Sequence, residues 1–282
     1  MAMTLRELLR RWEEALVQGP HPERARRDAE TLLLHAMGKT RAWLLGHYAD
    51  EAADEAGLAT LLLRRLRGEP IQYITGQTEF YGLPFRVAPG VLIPRPETEH
   101  LVEEALRLAA NLPTPNILDI GTGSGAISVA LAHALPQASV TTVDISPDAI
   151  AMARENAALN GVEDRIRFLE GDLLGPVAGM RFELVLSNPP YVPLEDLATL
   201  AAEVREHEPH SALFAGRDGL EIYRRLIPAA REHLVAGGWL LLEIGYGQQP
   251  ALHSLLEVSG YAQIHFLPDY QGIPRVACAQ PN

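Results

Sequence analysis

Asp119-Ile120-Gly121-Thr122-Gly123-Ser124-Gly125-Ala126 is the stretch on which the reading of this chain turns. It leaves a strand-like run, Asn116–Ile120, and enters a helical pattern near Ala126–Ala134. Glycines there permit positive φ and let a ligand press directly on the backbone, while the helix that follows offers unpaired N–H groups at its start. The pattern then repeats. Strands are expected at Ser139–Val143, Ile166–Leu169, Leu184–Ser187 and Trp239–Ile244, with helices from Ser146-Pro147 to Leu159, after Asp218 and near Leu252–Val258. Such alternation signals βαβ units on a mostly parallel sheet. Tyr261–Phe266 and Arg275–Ala279 read as closing strands that give the sheet an antiparallel end.

Upstream the texture is different. Residues 1–70 read as an all-helical domain. Thr4 and Glu7 form a capping-box pattern before Leu5, Leu8, Leu9, Trp12 and Leu16, which share one helical face. Gly19, Pro20 and Pro22 separate that helix from one carrying Leu32, Leu33 and Leu34 and ending near Gly38. Thr40 is placed to cap a short third helix, and a fourth runs through Leu58, Leu61, Leu62 and Leu66. Arg24, Arg26 and Arg27, interleaved with Glu23, Asp28 and Glu30, read as a solvated helix surface, with a partner-binding face as the alternative. Residues 71–96 form a linker: a β-hairpin over Glu79–Val87, then an extended Val91–Pro96 whose prolines forbid a helix. Residues 97–282 make the α/β domain.

Composition narrows the function. The chain has 282 residues, a formal net charge of −12 and one cysteine, which excludes a disulfide framework and every multi-cysteine metal site. Residues 1–80 carry 11 Lys+Arg against 12 Asp+Glu, and the remainder 13 against 24, so the acidity lies in the α/β half. Nucleic-acid affinity rests on neutralising phosphates with Lys and Arg, so phosphate-backbone binding is not expected. The opening residues lack the basic-then-apolar pattern of a secretion leader, and no apolar run approaches ~18 residues. A cytoplasmic protein without a membrane partner is the expectation. The ten histidines show no metal-ligand spacing, no metal is expected, and Cys278 reads as a core residue.

Three further motifs carry chemistry. Asp144 ends the second strand, where a carboxylate accepts the hydroxyls of an adenosine ribose. That signal is shared by NAD and S-adenosylmethionine, and Gly121, Gly123 and Ala126 also satisfy the tolerant dinucleotide pattern, so the loop alone does not choose between them. Gly171-Asp172-Leu173 follows the third strand and reads equally as an ordinary turn or as a site with Asp172 available to an adenine amino group and Leu173 to the ring face. Asn188-Pro189-Pro190-Tyr191 follows the fourth, at the carboxyl end where open α/β sheets bind ligands. Pro189 forces Asn188 into an extended conformation. Prolines lack N–H groups, so the turn presents acceptors: the Asn188 side-chain oxygen and the backbone carbonyls. With Tyr191 as a flat face, it suits a planar group whose NH2 is to be alkylated.

The glycine loop together with Asn188–Tyr191 resembles amino-methyltransferases, and the chain as a whole resembles the protein-(glutamine-N5) methyltransferases of the HemK/PrmC family. The likeness also rests on Pro70–Gly76, Glu79–Tyr81, Leu92–Glu99, Glu208-Pro209, Gly216–Leu220 and Tyr270–Arg275. It implies a Rossmann-like class I S-adenosylmethionine-dependent methyltransferase sheet, with the helical domain recognising the substrate. The implied reaction methylates the Gly-Gly-Gln glutamine of peptide chain release factors 1 and 2 and leaves S-adenosylhomocysteine. By position, Gly121, Thr122, Gly123, Ser124, Gly125, Asp144, Asp172, Leu173 and Asn188 would hold the cofactor. Asn188, Pro189, Pro190, Tyr191 and Arg95 would hold the substrate, with Asn188, Pro189 and Tyr191 catalytic. Arg95 and Glu97 would shape the pocket or form an ion pair. Leu173 stands where some members have an aromatic. A monomer is expected. A DNA adenine methyltransferase would use the same four-residue turn after flipping its base, but it wants a basic DNA-reading region that this acidic half lacks. An NAD-dependent oxidoreductase keeps only the loop and Asp144 in its favour, and a pure binding module leaves Asn188–Tyr191 unexplained.

Overall fold

A computed structural model of the chain describes residues 3–52 and 55–282. It divides into two units: the first runs to Gln77 and includes Leu200–His207, and the second comprises Thr78–Thr199 and Glu208–Asn282.

The helical unit is built from local signals. In α1 (Leu5–Val17) the Thr4 hydroxyl accepts from the Glu7 amide, and the Glu7 carboxylate accepts from the Thr4 amide at 2.9 Å, so two otherwise unpaired donors are satisfied at once. α2 (Ala25–Met37) ends on Gly38 in the left-handed region, and α3 (Arg41–His47) begins where the Thr40 hydroxyl accepts from the Trp43 amide. α4 (Glu55–Leu66) and α5 (Ile71–Thr75) follow. The α1 stripe packs on Leu32, Leu33, Leu44 and Ile74 as one core.

The expected boundary at residue 70 therefore falls short. Ile71–Thr75 is helical and buries Tyr73 and Ile74, so the unit extends to Gln77. Asp28, read as solvated, is buried: Arg65, itself 1% exposed, donates from Nε to Asp28 Oδ2 at 2.6 Å and from Nη1 to Glu203 Oε2 at 3.1 Å. Arg26 bonds Glu13 and Glu30, and Arg24 bonds Glu203. Glu203 is how a segment remote in sequence joins this unit.

The second unit opens, from Thr78, within the hairpin of β1 (Gln77–Phe80) and β2 (Leu83–Arg86), which turns at Tyr81-Gly82. After a short turn at Pro96–Thr98 come α6 (Glu99–Ala109), β3 (Asn116–Ile120), α7 (Ala126–Ala134), β4 (Ser139–Asp144), α8 (Pro147–Leu159), β5 (Ile166–Glu170) and β6 (Phe182–Ser187). α9 (Ala202–His207) belongs to the helical unit; α10 (Glu221–Ala230), β7 (Leu234–Glu243), α11 (Gln249–Val258), β8 (Tyr261–Pro268) and β9 (Pro274–Pro281) complete the chain. The seven-stranded order is β5-β4-β3-β6-β7-β9-β8. β9 runs antiparallel to both its neighbours and every other pairing is parallel. Strand order reverses between β3 and β6, the switch point at which such sheets open a crevice. Apolar side chains cover both faces of the sheet. Among the described residues no helix is long and apolar enough to cross a membrane.

Removing Arg65 takes the guanidinium partner from the buried Asp28 carboxylate, which costs about 3–5 kcal/mol, whereas Arg65 without Asp28 keeps Glu203. Arg65→Ala is expected to lower the unfolding free energy measured by urea titration by about 3–5 kcal/mol and Asp28→Ala by less, whereas Arg27→Ala, at an exposed position, leaves it unchanged.

Candidate active site

Three left-handed glycines shape the loop after β3: Gly121, Gly123 and Gly125 have φ of 76°, 53° and 83°. Gly121 and Thr122 donate their amides to the Val143 carbonyl at 2.8 and 3.2 Å. A Cβ on Gly125 would stand 3.0 Å from that of Ala153, so this glycine serves the close packing of α7 on α8. Thr122 turns inward, its hydroxyl 3.3 Å from Asp119 Oδ2 and from Ser128 Oγ. Asn156 of α8, fully buried, donates to the Ser124 carbonyl at 2.8 Å and to the Arg86 carbonyl at 3.0 Å, tying the loop to the hairpin. Nothing in the local sequence marked Asn156 out. Asp144 accepts the Gly123 amide on one oxygen and the Ser146 amide on the other, both at 2.9 Å.

Gly121, Gly123, Asp144, Asp172, Leu173, Asn188, Pro189 and Pro190 all line one cavity of about 320 Å³, whose apolar walls include Val91, Leu92 and Ile145. Ile145 was missed. Its side chain is 67% exposed, which only the fold reveals. Thr122, Ser124, Gly125, Arg95 and Tyr191 stand outside that lining. A wider concavity of about 520 Å³, walled by Glu195, Arg217, Asp218, Glu221 and Arg224, holds none of the predicted residues.

Asp172 is half-exposed and its carboxylate is taken by the Arg225 guanidinium. Arg95 donates from Nη2 to Glu208 Oε1 at 2.6 Å, and Glu208 Oε2 accepts the Ile93 amide at 3.4 Å. Ser187 joins the two central strands by donating to the Ile120 carbonyl at 2.7 Å. Beyond it, Asn188 donates from Nδ2 to Thr98 Oγ1 at 3.0 Å, and the Thr98 hydroxyl donates to Glu243 Oε2 at 2.6 Å. The Tyr191 hydroxyl donates to the other Glu243 oxygen at 3.3 Å, and the Tyr191 carbonyl accepts from Gln248 Nε2 at 2.9 Å. Thr98 and Glu243 are buried and neither was singled out in the sequence.

Two buried carboxylates flank the cavity loops. Burial pushes the Asp119 carboxyl up to about 7 against the hydroxyls of Thr122, Thr142 and Ser128, which favour its charged form. Its Oδ1 has no partner. Burial likewise raises Glu243 to about 7, opposed by its Thr98 and Tyr191 hydrogen bonds. Away from the cavity, Glu104, His265 and Cys278 bring ligand atoms within 4.8 Å of one another, a grouping no sequence spacing announced. Both Glu104 oxygens are already engaged by Arg107, at 2.6 and 2.7 Å.

The PrmC N-terminal domain model matches residues 7–76, and the Methyltransferase small domain model matches residues 98–205. A release factor glutamine methyltransferase of Geobacter sulfurreducens is 45% identical over 276 residues, covering 97% of this chain and 95% of that protein. Its counterpart in Salmonella typhimurium is 42% identical over 271 residues, covering 95% and 96%. Among solved structures, the ribosomal protein L11 methylase of Lactobacillus delbrueckii subsp. bulgaricus aligns with a TM-score of 0.51 at 25% identity, over 70% of this chain and 86% of that one. The hMettl16 catalytic domain shares the fold, with a TM-score of 0.57 at 17% identity over 79% of this chain and 80% of that one.

Asp119 binds its proton more tightly when folded than the ordinary carboxyl at 3.8 does. Between those two values the folded state therefore holds more protons, and stability falls as pH rises through the window. Asp119→Asn is expected to raise the urea midpoint at pH 8, with the gain shrinking as pH falls through 7 and vanishing below about 4.

Proposed function

This chain belongs to the release factor glutamine methyltransferase family, and we propose from that premise that it transfers methyl to the glutamine amide in the Gly-Gly-Gln loop of release factors 1 and 2. It is an S-adenosylmethionine-dependent methyltransferase. The observation that carries the finer reading is that Asn188, at the end of β6, and the glycine loop, at the end of β3, line one cavity.

The residues fit the cofactor. Gly121 and Gly123 leave backbone open to the cavity. Asp144 accepts backbone amides on both oxygens and keeps lone pairs for ribose hydroxyls. Ile145 and Leu173 supply apolar faces for a purine. The orphaned Asp119 Oδ1 is a further acceptor for which the protein provides no donor. Asp172, held by Arg225, keeps lone pairs for an amino group at the rim. When bound, S-adenosylmethionine supplies an electrophilic methyl carbon with a neutral leaving group.

The harder part is the nucleophile, because an amide nitrogen delocalises its lone pair into its carbonyl. Asn188 Oδ1 and the Pro189 carbonyl accept the two amide hydrogens and aim the nitrogen. The same bonds favour the positive charge that grows on it during transfer, so the enzyme works by positioning and electrostatics. No base is needed beforehand; the nitrogen's proton becomes acidic and leaves afterwards. Tyr191 and Pro190 stiffen the turn. The helical unit holds the body of the release factor, and an acidic catalytic unit suits a polypeptide better than a nucleic acid. We place the enzyme in the cytoplasm as a monomer that needs no metal.

Asn188→Ala removes one oriented acceptor and is expected to cut turnover by ~10²–10³ while leaving cofactor affinity nearly unchanged. Mass spectrometry of a release factor after reaction should find one methyl on the Gly-Gly-Gln glutamine. Methyl on another residue, or wild-type turnover in the variant, would refute the assignment.

A further inference from the structure

An asparagine carboxamide is nearly symmetric in shape, so shape alone does not decide which end of Asn188 faces the cavity. Its neighbours do. Nδ2 lies 3.0 Å from the Thr98 hydroxyl, whose single proton points at Glu243 Oε2, 2.6 Å away. An ionised carboxylate can only accept. The Thr98 proton is therefore committed to Glu243, the Thr98 oxygen must accept, and only the NH2 end of Asn188 can supply that bond. The remaining Glu243 oxygen takes the Tyr191 hydroxyl at 3.3 Å. Asn188 Oδ1 is left for the substrate.

We propose that Thr98 and Glu243 are positioning residues that hold the Asn188 carboxamide with its oxygen toward the substrate, and so make the site select a carboxamide over a carboxylate. This rests on the glutamine-amide reading above. Two fixed acceptors, Asn188 Oδ1 and the Pro189 carbonyl, match an NH2 group and repel a glutamate side chain. An Asn188 turned the other way would present N–H, lose the match and tolerate the carboxylate. Neither residue lies in the four-residue turn. Thr98 comes from the short turn before α6, and Glu243 from the end of β7.

The surroundings of Glu243 give the arrangement a pH dependence. Facing it are the hydroxyls of Thr98 and Tyr191, the Tyr223 hydroxyl, which donates to the Glu243 carbonyl at 2.6 Å, and the charges of Glu97 and Arg275. Arg275 favours the ionised form; Glu97 and burial oppose it, which brings the carboxyl up to about 7. Once protonated, Glu243 can donate to Thr98. The Thr98 proton is then free to turn toward Asn188, whose matching end becomes Oδ1. Turnover should accordingly fall as pH drops through about 7.

The test compares the full-length wild type with Thr98→Val, Thr98→Ser and Glu243→Gln at saturating cofactor, with Asp119→Asn run alongside to separate the other carboxyl that titrates near 7. Thr98→Val should lose kcat by roughly 10²-fold, the cost of a misplaced contact, with cofactor Kd unchanged, and Thr98→Ser should restore it. Glu243→Gln cannot titrate, so its kcat should stay flat across the pH range in which the wild type declines. A release factor carrying glutamate at the target position should bind Thr98→Val more tightly than it binds wild type. A Thr98→Val enzyme with wild-type kcat, or an acid limb that persists in Glu243→Gln, would overturn the positioning role while glutamine methylation by the wild type stands. A wild type that methylates no release factor glutamine removes the underlying reading as well.

Discussion

Ile120 pairs with Ser187 across the parallel β3–β6 ladder, and the rest of the site hangs on that register. Adjacent parallel strands lie about 4.8 Å apart and end on the same edge of the sheet. Whatever follows Ile120 must therefore stand beside whatever follows Ser187. Here these are Gly121 and Asn188, and a Cβ on Gly121 would lie 3.8 Å from the Asn188 carbonyl. Ser187 pins the two strands by a hydrogen bond to the Ile120 carbonyl. A loop that admits close approach and a turn that presents acceptors are thus brought together by sheet geometry, with no dedicated scaffold.

The polar residues behind that edge give up solvation for direction. Asp119 and Glu243 sit at or near the carboxyl ends of β3 and β7, fully shielded from water, where a charged carboxylate is disfavoured. Each is partly compensated by hydroxyls from other elements: Thr122, Thr142 and Ser128 around Asp119, Thr98 and Tyr191 around Glu243. In a dry site such bonds hold their geometry more firmly than they would in water. Asn156 plays the neutral version of the same part, spanning the hairpin and the glycine loop with one side chain.

Much of the architecture was legible in the sequence because its signals are local. The Thr4–Glu7 box, the Thr40 and Ser146 caps, the Gly38 stop and the alternating apolar runs each name an element, and β3, α7 and α8 begin and end where those signals say. The glycine loop and the Asn188–Tyr191 turn were legible for the same reason. What escaped is tertiary. Thr98 and Glu243 are 145 residues apart, and although Thr98 lies within Leu92–Glu99, nothing local pairs it with Glu243. Arg95 pairs with a carboxylate 113 positions away, a partner that no local pattern names. Asp28 looked solvated because its burial depends on Arg65, 37 residues on. The boundary at 70 failed because a five-residue helix carries too few turns to show a period.

The helical unit is not a continuous stretch of polypeptide. Leu200–His207 belongs to it, and Glu203 from that segment receives hydrogen bonds from both Arg24 and Arg65. A chimera made by a single crossover after Gln77 would inherit its helices from one parent and Glu203 from the other. The two guanidiniums would then face whatever side chain the second parent happens to carry. Grafting this unit between relatives is consequently a two-splice operation, and any recombination that respects only one junction breaks up an ion cluster contributed by both halves of the gene.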